Sequence, residues 1–245
     1  MKINKFLNEF NTRGYFKFSK FVDQSMIDKI IVEIKDITNV TIYKDRKNQI
    51  RRLEQLYNKG QNLNNLNLKF CQFIKDTIHK EVVIFKDKLN TKPPGGEGFS
   101  AHYDGVFKFK DANSNLQNGW YCYGDFFINI LLALDECTEK NGTIEIAHSH
   151  DGDFNQLLKN TMNDGTPNLL DEVEKKTSFE KIILLPGDIV VFKNTCPHRS
   201  KKNISNTERK VLYYMYSDIT NGSQYTNYFN DKKNSKNKTK KSLTG

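Results

Sequence analysis

The sequence predicts a mainly β fold with a helical layer, of the β-sandwich or jelly-roll barrel class. Three observations predict it. Helical periodicity is concentrated in the first third of the chain, short β-type runs follow one another from Glu81 onward, and turn signals such as "PPGGEG", "EKNG" and "PG" separate these runs. Many short strands in succession, with helices grouped at one end, are typical of such architectures.

Two helices are predicted in the first third. The segment "SMIDKIIVEIKDI" has Ser25 as its N-cap, and "NNLNLKFCQFIKDTIHK" forms the second helix, with His79 at its end. Each helix places its apolar residues on one face, namely Met26, Ile30, Ile34 and Ile37 in the first and Leu66, Phe70, Phe73 and Ile74 in the second. The intervening "IRRLEQLY" is assigned to the same helical layer.

The rest of the chain carries the β pattern. Its runs are "VVIFKDKLNTK", "GFSAHYDGVF", "GDFFINILLALDE", "GTIEIAHSH", "KIILLP", "GDIVVFK" and "KVLYYMYSD". A polar, partly helical segment from Asp151 to Ser178 interrupts them. Long excursions between barrel strands often form lids or binding loops, so we expect this segment to serve as one.

Composition suits one large domain. Only 37% of the 245 residues are hydrophobic, but 17 Phe and 11 Tyr can fill a sizeable core. No apolar run approaches the ~20 residues of a membrane span. The N-terminal "MKINKFLNEFNTRGYFKF" lacks the continuous apolar stretch of a signal peptide, and the four cysteines form no CxxC pair. We therefore expect reduced thiols and a cytoplasmic location.

The formal net charge of +9 raises a nucleic-acid hypothesis. Much of the excess lies in the lysine-rich C-terminal "NDKKNSKNKTKKSLTG", and such polar runs are most often solvated, frayed termini. We predict one domain over residues 1–233 and a basic, flexible tail over residues 234–245. We attribute the charge to this tail and to compositional bias rather than to a nucleic-acid partner.

The stretch "GFSAHYDGVF" holds the first candidate metal ligands. Residues i and i+2 of a strand point to the same face, so His102 and Asp104 would present an imidazole and a carboxylate side by side. One further histidine would complete a triad that holds Fe(II) and leaves coordination positions open. Taken alone, this short motif also fits an ordinary surface pair on a loop.

The second half of the chain offers the remaining parts. His198 follows a predicted strand and turn in "GDIVVFKNTCPHRS", and strands far apart in sequence can be neighbours in a barrel. Ser200 comes two residues later, and Arg209 begins the next predicted strand. A buried arginine can hold a carboxylate through two charge-assisted hydrogen bonds, and a serine beside it can add a third.

Together these motifs resemble the phytanoyl-CoA dioxygenase-like family of Fe(II)/2-oxoglutarate oxygenases. The parts are His102-Tyr103-Asp104, Asn141-Gly142 to Ser149-His150, "LPGDIVVF", His198-Arg199-Ser200 and Arg209. The run "KPPGGEGFSAHYD" also resembles the "KxPGGxGFxxHxD" of a bacterial and fungal branch of the family. The resemblance extends from "GYFKFSKFVD" to Lys233, with "AHSH" in place of the usual "PGSH".

The resemblance implies a double-stranded β-helix, a jelly-roll or cupin-like barrel with N-terminal helices packed on one sheet. It implies Fe(II) held by His102, Asp104 and His198. The cosubstrate 2-oxoglutarate would chelate the metal and place its distal carboxylate against Arg209 and Ser200. Asn129 occupies a place where the family often has a polar residue in contact with the cosubstrate.

Other residues suggest further roles. His148, His150 and Asp151 form a rival metal cluster, but a structural role is favoured because a separate triad is already complete. Cys196 is expected to be a packed, inert thiol. The substrate-binding candidates are Lys92, Lys88, Tyr103 and Arg52. The two lysines share a strand face with Lys86 and Asn90, which would line either a positive pocket or an exposed edge. Arg52 could join the pocket or pair with Glu54 at the surface.

The implied reaction couples decarboxylation of 2-oxoglutarate, giving succinate and CO2, to hydroxylation of a small polar or anionic metabolite by O2. The family branch suggests an organophosphonate such as 2-aminoethylphosphonate, or an amino-acid-like compound.

One alternative is a nucleic-acid demethylase of the same chemistry, which would carry a second arginine soon after Arg209; none follows here. The other is a non-catalytic ligand-binding jelly roll, against which the complete triad counts.

Overall fold

Two antiparallel β-sheets form the body of the protein. The computed structural model describes residues 2–111, 113–162 and 164–238. In chain order its strands are β1 Tyr15–Phe18, β2 Thr41–Lys44, β3 Ile50–Glu54, β4 Val82–Lys92, β5 Phe99–His102, β6 Phe109–Lys110, β7 Leu116–Gln117, β8 Phe127–Ala133, β9 Ile144–Ile146, β10 Glu180–Lys181, β11 Ile189–Lys193, β12 His198–Ser200 and β13 Arg209–Asp218. The larger sheet has the order β1-β11-β8-β13-β4-β3-β2, the smaller one β10-β9-β12-β5, and β6 pairs with β7 separately.

The helices pack around these sheets. They are α1 Lys2–Arg13, α2 Gln24–Asp36, α3 Gln61–Ile78, α4 Phe154–Leu158, α5 Asp171–Lys176 and α6 Tyr225–Lys238. The first three share one apolar core with the larger sheet, in which Phe6, Ile27 and Phe70 are fully buried. Each such side chain contributes about 1.5–3 kcal/mol by leaving water. None of the helices in the described ranges is long and apolar enough to cross a membrane.

The predicted helix in "SMIDKIIVEIKDI" exists, but Ser25 is not its N-cap. The N-cap is Asp23, two residues earlier, and its carboxylate accepts a hydrogen bond of 2.8 Å from the backbone N–H of Met26. An aspartate at this position satisfies one of the otherwise unpaired donors of the first turn. The second helix begins at Gln61 and is confirmed to end at His79, which adopts a left-handed backbone with φ of 56°.

The prediction that "IRRLEQLY" belongs to the helical layer is wrong. Residues Ile50–Glu54 form β3, which pairs with both β2 and β4 in the larger sheet. Arg51 and Glu54 are buried, and Arg52 is half-buried. The two buried residues, Arg51 and Glu54, are charged and lie on opposite faces of the strand, so β3 has no hydrophobic alternation to detect in the sequence.

The excursion over residues 151–178 is packed against the small sheet. Phe154 and Leu157 of α4 and Leu169 share a second apolar cluster with Ala101 and Tyr103. The backbone N–H of Leu169 donates to the Ala101 carbonyl at 2.8 Å, and Asn168 forms a β-bridge with His102. The excursion thus lies along the free edge of β5.

The predicted tail begins inside α6, so the boundary at residues 233 and 234 cuts a helix. Just before this boundary, Lys232 donates to both carboxylate oxygens of Glu54 at 2.6 Å. Glu54 is fully buried, and the lysine side chain is 17% exposed. Part of the C-terminal lysine run is therefore docked on the larger sheet, while residues 239–245 lie outside the described part of the chain.

Candidate functional site

His102, Asp104 and His198 converge between the two sheets. One ligand atom from each lies within 4.8 Å of the others, and no other such group of His, Cys, Asp or Glu was found among the described residues. His102 ends β5 and His198 begins β12, and the two are directly paired across these antiparallel strands. Their ring centroids are 4.2 Å apart, and His198 Nε2 lies 3.7 Å from Asp104 Oδ2.

A turn, not a continuous strand, brings Asp104 to the histidines. We expected His102 and Asp104 to share a strand face, but β5 ends at His102. The chain then bends at Gly105, where φ is +83° and an added Cβ would lie 2.5 Å from Trp120 Cγ. Asn194 fixes the bend by accepting from the Asp104 N–H at 3.0 Å and donating to its carbonyl at 3.2 Å.

The two imidazoles are oriented with their Nε2 atoms available. His102 Nδ1 lies 2.7 Å from the Ser100 carbonyl and His198 Nδ1 lies 3.1 Å from the Cys196 carbonyl, so each Nδ1 carries the proton and donates. Burial lowers the pKa of His102 to about 3, and it also lowers the pKa of His198. Both rings are therefore neutral at pH 7, as metal ligands must be.

Asp104 completes the set. Burial opposes its ionisation, but the neighbouring His198 and Lys88 hold the pKa of this carboxyl below its ordinary value. Its Oδ2 atom is buried without a hydrogen-bond partner in the described part of the protein. Two neutral imidazoles and a carboxylate with an unsatisfied oxygen fit a divalent iron with open coordination positions.

Arg209 lies beside this cluster at the start of β13. It is 3% exposed, and its Nε atom has no hydrogen-bond partner among the described residues. Arg209 and Ser200 line one cavity with His102 and His198. The residues predicted to hold the metal and a carboxylate are thus brought together, and the free guanidinium nitrogen fits an incoming anion.

The cavity has a volume of about 30 Å³ and is walled by both sheets. Its wall consists of Arg52, Lys88, Asn90, Phe99, His102, Ile144, His198, Arg199, Ser200, Arg209 and Tyr213. Lys88 and Arg52 are therefore in the predicted pocket. Tyr213 was missed, although it lies four residues after Arg209 and hence on the same strand face.

Lys92 does not line the cavity. Its side chain is fully buried, and Nζ is hydrogen-bonded to the Gly142 carbonyl at 3.1 Å, to Ser200 Oγ at 2.8 Å and to the Lys201 carbonyl. Burial, with the charge of Arg209 next, lowers its pKa to about 6. Lys92 thus holds Ser200, and the structure gives it no contact surface for a substrate.

Tyr103 and Asn129 also lie away from the cavity wall. The Tyr103 hydroxyl is hydrogen-bonded to His150 Nδ1 and accepts from Asn160 Nδ2 at 3.1 Å. Asn129 lies in the middle of β8, opposite Met215 of β13, and both of its side-chain polar atoms are buried without partners within the described ranges. Its amide is free for a ligand, but the cavity as it stands does not reach it.

The rival histidines have other contacts. His150 is bound to Tyr103, and His148 packs near the ring of Tyr15, with centroids 6.1 Å apart. Neither belongs to a metal-binding group in the part of the chain that is described. Cys196 is fully buried, and burial raises the pKa of its thiol to about 12, so it is packed and unreactive.

A known protein family matches most of the chain. The family model "Phytanoyl-CoA dioxygenase (PhyH)" matches residues 10–211. A 2-aminoethylphosphonate dioxygenase of the uncultured bacterium HF130_AEPn_1 is 27% identical over 161 residues, which cover 65% of this chain and 55% of that protein. A methylphosphonate hydroxylase of Gimesia maris is 28% identical, covering 62% of this chain and 52% of that protein. The chain therefore spans about half the length of these relatives.

Solved structures resemble the fold. The carbocyclase SnoK from nogalamycin biosynthesis superimposes with a TM-score of 0.68 at 12% identity, covering 88% of this chain and 83% of that one. EctD from S. alaskensis, solved with 2-oxoglutarate and 5-hydroxyectoine, gives a TM-score of 0.64 at 18% identity, covering 87% and 75% of the two chains. These likenesses confirm the predicted class, although the two sheets do not close into a continuous barrel in the described residues.

Proposed function

The chain belongs to the phytanoyl-CoA dioxygenase family, and from this premise we propose that it is an Fe(II)- and 2-oxoglutarate-dependent dioxygenase acting on a small polar or anionic metabolite. The observation that carries the proposal is a pair of unsatisfied buried atoms. Within the described part of the protein, Asp104 Oδ2 is unsatisfied beside the two neutral imidazoles, and Arg209 Nε lacks a partner in the wall of the cavity that the histidines also line. A cation and an anionic cosubstrate would satisfy both atoms.

In this proposal His102, Asp104 and His198 hold Fe(II), while Arg209 and Ser200 hold the distal carboxylate of 2-oxoglutarate. The bound metal and cosubstrate supply the oxidation, in which O2 is reduced, 2-oxoglutarate becomes succinate and CO2, and a substrate C–H bond is hydroxylated. The chain supplies His102, Asp104 and His198 in the protonation states that bind a metal. Strand β13 holds Arg209 in position to bind the cosubstrate carboxylate. Phe99 and Ile144 contribute apolar surface to the cavity wall.

An organophosphonate is the substrate class that we propose first, with an amino-acid-like compound as the second candidate. Two of the similar proteins are named for 2-aminoethylphosphonate and for methylphosphonate. The cavity is small, and its wall carries the cationic side chains of Arg52, Lys88 and Arg209. Both properties suit a short anionic molecule.

The test is succinate release from 2-oxoglutarate with Fe(II) and O2, across a panel that includes 2-aminoethylphosphonate, methylphosphonate and small amino acids. We expect turnover with at least one panel member, its loss in His102→Ala and its retention in His148→Ala. Retained turnover in His102→Ala, or no succinate above background with any substrate, would contradict the proposal.

A further inference from the structure

A second anion site lies in the same cavity, on the wall formed by β4 and β13. We propose that Lys88 and the hydroxyl of Tyr213 form an oxyanion subsite that binds the acidic group of the substrate. This subsite is distinct from the site at Arg209 that would bind the distal carboxylate of 2-oxoglutarate. This inference rests on the proposed function and specifies it. The substrate would be an oxyacid anion, either a phosphonate or a carboxylate.

The first observation is that the ammonium group of Lys88 lacks a partner. Lys88 is 6% exposed and lines the cavity. Across the described residues it makes no hydrogen bond and no ion pair, and its one close polar contact is with the Tyr213 ring, whose centroid lies 4.6 Å from Nζ. A buried charge without a counter-ion is costly, so such a group indicates a ligand of opposite charge.

The carboxylates nearest to Lys88 are already engaged. Glu54 lies directly opposite it on β3 but accepts two hydrogen bonds from Lys232 at 2.6 Å and lies 3.7 Å from Arg52. Asp104 attracts Lys88 electrostatically, yet it belongs to the metal-binding group. Neither acid forms an ion pair with Lys88, so an anion bound in the cavity would be its first direct counter-ion within the described residues.

Two other cationic side chains of the cavity wall, Arg199 and Arg52, have direct partners within the protein. Arg199 is bound to Glu145 at 2.7 Å and to Glu174 at 2.6 Å. Arg52 has Glu54 beside it and donates to Asn90 Oδ1 at 3.1 Å. Arg199 therefore needs no further anion, whereas Arg52 shares the carboxylate of Glu54 with Lys232.

The remaining charges call for two anions. A divalent metal with Asp104 retains one positive charge, and Arg209 adds another, which together match the two carboxylates of the cosubstrate. Burial lowers the pKa of Lys88 to about 7, so an anion bound beside it would favour its charged form. A substrate with one acidic group close to the metal would neutralise it.

The two anion sites are separated along the sheet. Arg209 and Tyr213 are four residues apart on β13, which places them roughly 13 Å apart along the strand. Lys88 pairs with Tyr213, whereas Lys92 pairs with Arg209. One carboxylate cannot occupy both positions, and the hydroxyl of Tyr213, which has no protein partner in the described ranges, is a second donor beside Lys88.

The test uses Lys88→Met and Tyr213→Phe, with Lys86→Met as the matched control. Lys86 is a buried lysine on the same strand face, but it lies against the rings of Trp120 and Tyr228 and outside the cavity wall. Under argon, 2-oxoglutarate affinity is read from the visible absorption of its Fe(II) complex. Calorimetry then measures the binding of methylphosphonate, 2-aminoethylphosphonate and its carboxylate analogue 3-aminopropanoate to the loaded protein.

We expect Lys88→Met to weaken binding of the oxyanion probes about ten- to a hundred-fold and Tyr213→Phe to weaken it several-fold. The affinity for 2-oxoglutarate should change less than two-fold in both variants, and Lys86→Met should leave both affinities unchanged. Lys88→Arg should retain oxyanion binding, which separates loss of charge from loss of folding. Preference for the phosphonates or for 3-aminopropanoate assigns the acid type.

Two outcomes overturn the inference while the proposed function stands. In the first, Lys88→Met weakens 2-oxoglutarate and spares the probes, so Lys88 belongs to the cosubstrate site. In the second, the wild-type protein binds 2-oxoglutarate but none of the oxyanions. If instead the wild-type protein binds no 2-oxoglutarate, the proposed function fails. Calorimetry of inorganic phosphate with the metal-free protein then tests Lys88 alone. Equal phosphate binding by wild type and Lys88→Met overturns the subsite.

Discussion

Arg209 and Lys92 are direct cross-strand partners on β13 and β4, so the site proposed for the distal carboxylate of the cosubstrate is built on two adjacent buried basic side chains. Only Arg209 reaches the cavity. Lys92 instead joins Ser200 to the carbonyls of Gly142 and Lys201. Lys92 therefore positions Ser200, whereas Arg209 would bind the cosubstrate, and mutation can separate these two roles.

Replacing Lys92 with methionine should disturb the carboxylate site at Arg209 and Ser200 without changing the metal ligands. The variant leaves the Gly142 and Lys201 carbonyls without their donor and frees the Ser200 side chain. We expect the free energy of unfolding to fall by about 1–3 kcal/mol and the KM for 2-oxoglutarate to rise several-fold, with kcat largely retained. Chemical denaturation and steady-state kinetics measure the two effects. An unchanged KM would remove Lys92 from the positioning of Ser200.

The metal-free protein should lose stability on acidification because its two cavity histidines are neutral. Their pKa values are lowered in the folded state, that of His102 to about 3, whereas an unfolded histidine titrates near ~6.5. Below that pH the unfolded chain binds more protons, so the free energy of unfolding falls as pH decreases, by about 1 kcal/mol per pH unit for each histidine.

Urea unfolding at pH 7 and pH 5.5 checks this. Burial raises the pKa of Asp87 to about 6, which works in the opposite direction as that group becomes protonated. The informative quantity is therefore the difference between wild type and His102→Gln. The variant should depend less steeply on pH, and identical slopes would argue against a neutral, buried His102.

Replacing Arg199 with alanine should loosen the excursion. The side chain joins Glu145 of β9 to Glu174 of α5, and its guanidinium carbon lies 4.2 Å from the centroid of the Phe179 ring. Loss of these contacts should increase hydrogen exchange over residues 171–180, while Lys175→Ala, an exposed change on the same helix, should not. Equal exchange in the two variants would mean that apolar packing alone holds the segment.

Replacing Lys232 with methionine should destabilise the protein although the residue lies next to a predicted flexible tail. Glu54 would keep a buried charge with only Arg52 and Lys86 to compensate it. We expect a loss of about 2 kcal/mol in the free energy of unfolding, whereas the exposed Lys233→Met should cost less than ~0.5 kcal/mol. Thermal denaturation of the two variants gives the comparison.

The sequence was most informative where short motifs carry chemistry. The convergence of His102, Asp104 and His198 was predicted, since the ligand types and their spacing do not depend on the details of the chain path. Strand β3 was missed because its two buried residues, Arg51 and Glu54, are charged, and hydrophobic patterns cannot reveal a polar interior. The difference between Lys88 and Lys92 was also invisible, because it depends on which carbonyls each amine meets after folding.

The β-bridge between His102 and Asn168 has a consequence for how such a site can diversify. Strand β5 would be an edge strand, but the Tyr103 N–H donates to Pro167 and the Leu169 N–H donates to Ala101, which occupies the open edge. The position of His102, a proposed metal ligand, is therefore coupled to the surface segment over residues 167–169. Insertions elsewhere between residues 151 and 178 could reshape access to the cavity at little cost, whereas changes at residues 167–169 would shift the register of His102 itself. Variation in selectivity should accumulate on either side of this tripeptide and spare it.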